Sequence, residues 1–215
     1  MVDDFDRTNE ELAALATAIY VYSRSSRRYI LISSGAVVPS GVVTAEMRRH
    51  VVATFDTLDG LTRQLYSGQL SMEQWQLAVA GELKDAHLAQ SMYAVGGKHN
   101  MTQANFGRVG GTLADEYRYL SQFADDIAAG RISEAQALAR IRQYGKATQQ
   151  SYWREYAQSR RGKKVNWTVH PGESCSDCLE MEANNPHDVE RLTKYPGSGH
   201  TQCRGNCNCT LEDAA

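Results

Sequence analysis

The first 174 residues contain no cysteine, yet five lie between Cys175 and Cys209. An odd number in so short a span does not make a closed disulfide framework. Close pairs of this kind, in a chain expected to be reduced, favour metal. Proline is also scarce, with four in 215 residues, and three of those four lie beyond residue 164. Little therefore interrupts helices before that point. No run approaches the roughly 18–20 apolar residues needed to span a bilayer, so no membrane role is expected. The opening Met1-Val-Asp-Asp-Phe-Asp6 is acidic where a secretory signal is basic and then apolar. The expectation is a protein made and kept in a reducing cytoplasm. The formal net charge of −2 lacks the positive excess of a general DNA-coating protein.

Several catalytic signatures are missing as well. There is no Gly-x4-Gly-Lys-Ser/Thr phosphate loop and no His-Glu-x2-His. Gly107-x2-Gly110-Gly111 lies within a helical pattern rather than after a strand, which excludes a dinucleotide fingerprint. Ser174, not proline, precedes the first cysteine, and no His-x-Glu precedes it, unlike a zinc deaminase.

Helical periodicity is abundant. Thr8-x-x-Glu11 is a capping box opening a first helix with Leu12, Leu15 and Ile19, which fades in Ser23-Arg-Ser-Ser-Arg-Arg28. Tyr29-Ile-Leu-Ile32, Ser34-Gly35 and Val37-Val38 predict a small hairpin within an arm at about 24–42. Such a hairpin is marginal alone and must lean on the bundle or a partner. A second helix over about 44–66 carries Met47, Val51, Phe55, Leu58, Leu61 and Leu65. Ser71-x-x-Gln74 caps a third with Met72, Trp75, Val79, Leu83, Ala86 and Tyr93, stopped by Gly96-Gly97. A fourth runs over about 102–129, with Gly107, Gly110 and Gly111 marking a close crossing or a break near 110. Ser133-x-x-Gln136 opens a fifth reaching about 159. Short connections favour antiparallel neighbours. The predicted fold is mainly α: an antiparallel helical bundle with a small β-hairpin arm and a C-terminal zinc-knuckle-like module. The domains are expected at 1–162 and 163–215.

In the C-terminal module the pattern is Cys175-x2-Cys178, 24 residues, then Cys203-x3-Cys207-x-Cys209. A Cys-x2-Cys turn places two thiolates at two corners of a zinc tetrahedron, and the distant cluster supplies the others. Four of the five are expected to hold a structural Zn²⁺: Cys175, Cys178 and Cys203 with either Cys207 or Cys209. His200 and His170 stand in reserve. One or two disulfides are the alternative if the protein matures outside the cell. Some fifty loop-rich residues cannot bury enough apolar area to hold themselves, and a zinc ion contributes on the order of 10 kcal/mol. Four protein ligands leave no position for a catalytic water. Trp75 and Trp153 fit helical core positions, and Trp167 is expected to pack this module onto the bundle. His87 reads as a face or interface residue.

The residues also offer two rival chemistries. His170, Glu173 and Asp177 near the knuckle can be drawn as a metal-dependent hydrolase site, although solvated loop residues are the commoner meaning. Arg160, Arg161, Lys163 and Lys164 can make a weak DNA contact, the mark of a nucleic-acid-binding zinc module. Residues 165–215, however, hold Arg191, Lys194 and Arg204 against eight acids.

The segments Phe106-Gly-Arg-Val-Gly110, Tyr119-Leu-Ser-Gln-Phe-Ala124, Ile127-Ala-Ala-Gly130 and Ser133-Glu-Ala-Gln136 resemble the minor head proteins of tailed bacteriophages. Cys175-Ser-Asp-Cys178, Pro196-Gly and Cys203-Arg-Gly-Asn-Cys207-Asn-Cys209-Thr-Leu-Glu212 are similar to the cysteine-rich end of Mu-like head morphogenesis proteins. Gly199-His200-Thr-Gln-Cys203 departs from the His-Pro-x-Cys-x-Cys form in which many members end. The resemblance covers roughly residues 60–212. It implies a virion component, assembled in the bacterial host cytoplasm, that binds capsid, portal or connector subunits within a multimeric particle. It implies no catalytic residues.

Overall fold

The computed structural model describes residues 20–23, 26, 28–170 and 174–214. The helix expected from Thr8 lies outside them. Tyr20–Ser23, expected to end that helix, is instead a strand, β1, whose Tyr-Val-Tyr sequence suits a pleated surface. β1 pairs antiparallel with β2 (Arg28–Leu31), which pairs antiparallel with β3 (Val37–Val38). The arm is thus a three-stranded sheet rather than a hairpin. Its inner face buries Tyr29 and Val38, and the Tyr29 hydroxyl donates to the Ala94 carbonyl at 2.8 Å.

Five main helices follow. α1 (Ser40–Tyr66) starts immediately after Pro39 and buries Val43, Met47, Val51 and Leu58. α2 (Met72–Val95) begins with the Ser71/Gln74 capping box and ends at Gly96, whose φ of 76° is the left-handed stop that glycine adopts without strain. It packs against α1, α3 and α5, which is why apolar residues are spread around its circumference. α3 (Gln103–Ala128) opens with a reciprocal Thr102/Asn105 cap, asparagine replacing the usual Glu or Gln. It is unbroken at residue 110. A Cβ on Gly107, Gly110 or Gly111 would meet nothing within 4 Å, so these glycines face open space and mark no crossing among the described residues.

The helix expected over 133–159 is two helices, α4 (Glu134–Ala147) and α5 (Gln149–Gln158). The Thr148 hydroxyl takes the Gly145 carbonyl at 2.7 Å, and the backbone bonds shift to Thr148 N–Gly145 O and Ser151 N–Thr148 O. The side-chain bond and the i−3 backbone bonds interrupt the helical ladder here. Gly145 allows α1 to approach closely, since a Cβ there would lie 2.6 Å from Phe55.

The buried side chains form two apolar clusters. One holds Leu58, Trp75, Val79, Leu83, Val109, Leu113, Phe123 and Ile141. The other holds Val43, Met47, Tyr93, Tyr152, Trp153, Trp167 and Cys178. Along α1 and α2 the two are separated by a polar belt of His50, Thr54, His87 and Gln90, all 2% exposed or less.

The second apolar cluster runs without interruption from the helices into the C-terminal residues. There β4 (Lys164–Thr168) is the central strand between β5 (His187–Asp188) and β6 (Thr210–Asp213). Trp167, fully buried on β4, belongs to the same apolar cluster as Tyr152, Trp153 and Tyr156 of α5. The Asn185 side chain closes the loop after α6 (Ser176–Ala183), accepting from Trp167 N–H at 2.7 Å and donating to its carbonyl at 2.8 Å. The protein is therefore mainly helical, with small antiparallel sheets and a C-terminal cysteine cluster. No helix among the described residues is long and apolar enough to cross a membrane.

Candidate metal centre

Cys175 is the residue before α6, and Cys178 lies in the helix's first turn. This helical start brings their sulfurs to 3.6 Å. The second pair is presented by a tight 3-10 turn, Arg204–Asn206, between Cys203 and Cys207. Arg204 adopts φ 51°, a left-handed conformation that turns the chain sharply. The turn is pressed onto the α4–α5 junction. A Cβ on Gly205 would lie 2.9 Å from the Gln143 carbonyl oxygen and 3.3 Å from Ala147 N. The Gln149 side-chain amide donates to the carbonyls of Gly205 and Cys207 at 3.2 and 2.8 Å. Lys146 donates to Asn206 at 2.7 Å. The helical bundle thus positions half of the cysteine cluster.

Cys178 is the centre of the arrangement. Its sulfur lies 3.6 Å from Cys175, 3.7 Å from Cys203 and 3.7 Å from Cys207. A tetrahedral ion with sulfur bonds of about 2.3 Å has ligand–ligand edges of about 3.8 Å, so each of these three separations fits a pair of thiolates on one ion. The sulfurs form two triads, Cys175–Cys178–Cys203 and Cys178–Cys207–Cys209, each within 4.8 Å. All five are free thiols, at contact rather than bonding distance. The group can hold a metal ion.

The electrostatics fit the same chemistry. Burial opposes ionisation of Cys175, yet the backbone N–H groups of Cys178 and Cys203 hold its thiol below the ordinary range. Burial pushes Cys178 up, and the adjoining sulfurs add to it. Cys207, whose thiol hydrogen-bonds to Cys209 and is buried, is also driven up. Cys209 is held at about 5 by Cys207 first, then by Cys178, Trp167 and Ser174 against the cost of burial. Packed thiols thus compete for few charges, and a bound cation relieves that competition by stabilising several thiolates together.

Among the described residues, neither reserve histidine joins a ligand group. His200 is exposed. His170 accepts from Arg48 at 3.4 Å through Nε2. Asp177 accepts from Gln202 N–H at 2.9 Å, bracing the cysteine loop, and Glu173 lies outside the described residues. Of the basic run, Arg160 is 6% exposed, lies over the Tyr156 ring and pairs with Asp213. Lys164 lies 4.0 Å from Asp188. Arg161 and Lys163 are exposed.

One polar constellation escapes sequence reasoning. His87 Nδ1 lies 2.7 Å from the Ser151 hydroxyl, and Nε2 lies 3.0 Å from Glu116. The residues come from α5, α2 and α3, and no local pattern signals their meeting. The order hydroxyl–imidazole–carboxylate is that of an activated nucleophile. Ser151 and His87 are fully buried, however, so the triad has no open face for a substrate and instead ties three helices together.

No family model, curated protein or solved structure matches the chain. The chemistry of its own residues therefore carries the functional reading.

Proposed function

We propose that this chain is a non-catalytic structural protein whose C-terminal residues are braced by one Zn²⁺, and that it serves as a minor head protein in a tailed-phage particle. The observation that carries the brace is the set of three sulfur–sulfur separations of 3.6–3.7 Å meeting at Cys178. In this reading Cys175, Cys178, Cys203 and Cys207 are the ligands. Cys209 is a neighbouring thiol. Four thiolates close the coordination sphere and leave no open position for water, which suits a structural ion. Zinc is the borderline-soft, redox-inert ion suited to such a tetrahedron.

The assembly role is supported by the phage-like segments of the sequence, above all the cysteine-rich ending. Its partners are capsid, portal or connector subunits, and its place is the virion. Burial of Arg160 removes one cation from the 160–164 run, and the eight acids against three bases in residues 165–215 disfavour the genome-binding alternative.

Metal content of the purified chain, measured with a native free-thiol count, tests the brace. One zinc per chain, with thiols released by a chelator, is the expected result. Metal-free protein with five reactive thiols, or with disulfides, overturns it. Recovery of the chain in purified heads at a fixed stoichiometry tests the assembly role, and its absence from both precursor and mature particles refutes it.

A further inference from the structure

Two sheet edges line one cleft. β3 is the outer strand of the N-terminal sheet, and β6 is an outer strand of the C-terminal sheet. Both border a cleft of about 600 Å³. The registers show which backbone groups point away from the sheets. Leu31 N donates to the Ala36 carbonyl at 2.8 Å, so in the alternating antiparallel ladder Val37 turns its N–H and C=O away from β2. Ala214 N donates to the Lys164 carbonyl at 3.2 Å, so Leu211 and Asp213 turn theirs away from β4. All three residues line the cleft.

The cleft's side chains divide by chemistry. Tyr29, Val38, Trp153, Tyr156 and Leu211 make an apolar floor, each at most 7% exposed. Exposed Arg28 and Arg48 form the rim with His170, and buried Arg160 lines the cleft together with Glu212 and Asp213. Arg160 and Asp213 satisfy each other. Among the described lining residues the remaining Arg, Lys, Asp and Glu charges are Arg28 and Arg48 against Glu212, an excess of one positive charge.

We propose that this cleft binds an extended segment of a partner protein as an added β-strand, with apolar and acidic side chains in alternation. Unpaired strand edges are satisfied by backbone at strand spacing, which is how β-strand addition gains affinity. The period of two along such a strand sends one set of side chains to the aromatic floor and the other to the arginine rim. A phosphate backbone would use the arginines but leave the edges of β3 and β6 unmatched. The cleft is separate from the cysteine cluster, and the inference does not rest on the metal reading.

The test uses the full chain and a fluorescent, end-capped hexapeptide alternating valine and glutamate, followed by anisotropy and residue-resolved amide exchange. Saturable binding is expected, with exchange at the Val37 and Asp213 amides slowed at least about tenfold. Arg48→Glu, at an exposed position, should weaken binding by about tenfold while leaving the thermal melt unchanged. The same peptide N-methylated at alternate backbone nitrogens should not bind. Absence of binding overturns the proposal. So does equal binding by the N-methylated peptide, or equal binding by an oligothymidylate without amide protection, since either shows charge attraction alone.

Discussion

Replacing Glu155 with alanine removes the centre of a buried ion pair. Its side chain is fully buried, and both carboxylate oxygens are used. Arg108 donates from Nε at 2.8 Å and from Nη2 at 2.6 Å, and Asn105 donates at 2.6 Å. Breaking a buried pair by deleting one partner costs about 3–5 kcal/mol because the other charge loses its compensation. Here Arg108 is 30% exposed and can rehydrate, which places the cost near the lower end. Asn105, 5% exposed, then lacks a partner for its amide and keeps the loss from falling further. The expected destabilisation is about 3 kcal/mol, lowering Tm by roughly 6–12 °C for a chain of this size. Urea and thermal unfolding followed by circular dichroism at neutral pH measure it. Arg108→Met and the double variant complete a cycle, with an expected coupling above about 1.5 kcal/mol. A loss under about 1 kcal/mol, or additive single effects, would refute the reasoning that this pair pins α3 to α5.

Gly205→Ala should destabilise by about 1–3 kcal/mol, because its Cβ meets backbone of α4 that cannot rotate away; a neutral melt would contradict that packing. Gly110→Ala should raise stability by about 0.5–1 kcal/mol, since the helical site is open and alanine loses less entropy. Burial, with Asp85 nearby, pushes the Glu82 carboxyl up to about 7 from an ordinary 4.5. The folded state therefore holds this proton more tightly, so the contribution is full below pH 4.5 and is lost as pH rises to 7. Glu82→Gln should remove that slope and stabilise the protein at pH 8 by on the order of 2 kcal/mol, allowing for partial exposure; parallel stability–pH curves would refute this. Cys178→Ser should abolish the metal brace and lower Tm, whereas Cys209→Ser should retain one zinc; metal analysis showing the reverse would reassign the ligands.

The sequence by itself determined the elements whose causes are local. Capping boxes at Ser71/Gln74 and Ser133/Gln136 mark helix starts in the structure, as the Gly96 stop marks an end. Stripes such as Met47, Val51 and Leu58 identify core faces because a side chain three or four residues on lies on the same side. The Cys-x2-Cys spacing announced a cluster because two thiols in one helical turn meet without outside help. Contacts between distant residues were decided only by tertiary structure. The helical ladder is interrupted at Thr148, whose hydroxyl takes the Gly145 carbonyl, while Gly110 faces open space instead of a neighbouring helix. His87, Ser151 and Glu116 meet because three helices pack, and no spacing encodes that. The bundle also presses the Arg204 turn inward, so Cys203 and Cys207 each reach Cys178, while exposed His200 joins no ligand group. Local backbone and capping energies act over a few residues, but burial depends on which surfaces the folded chain brings together.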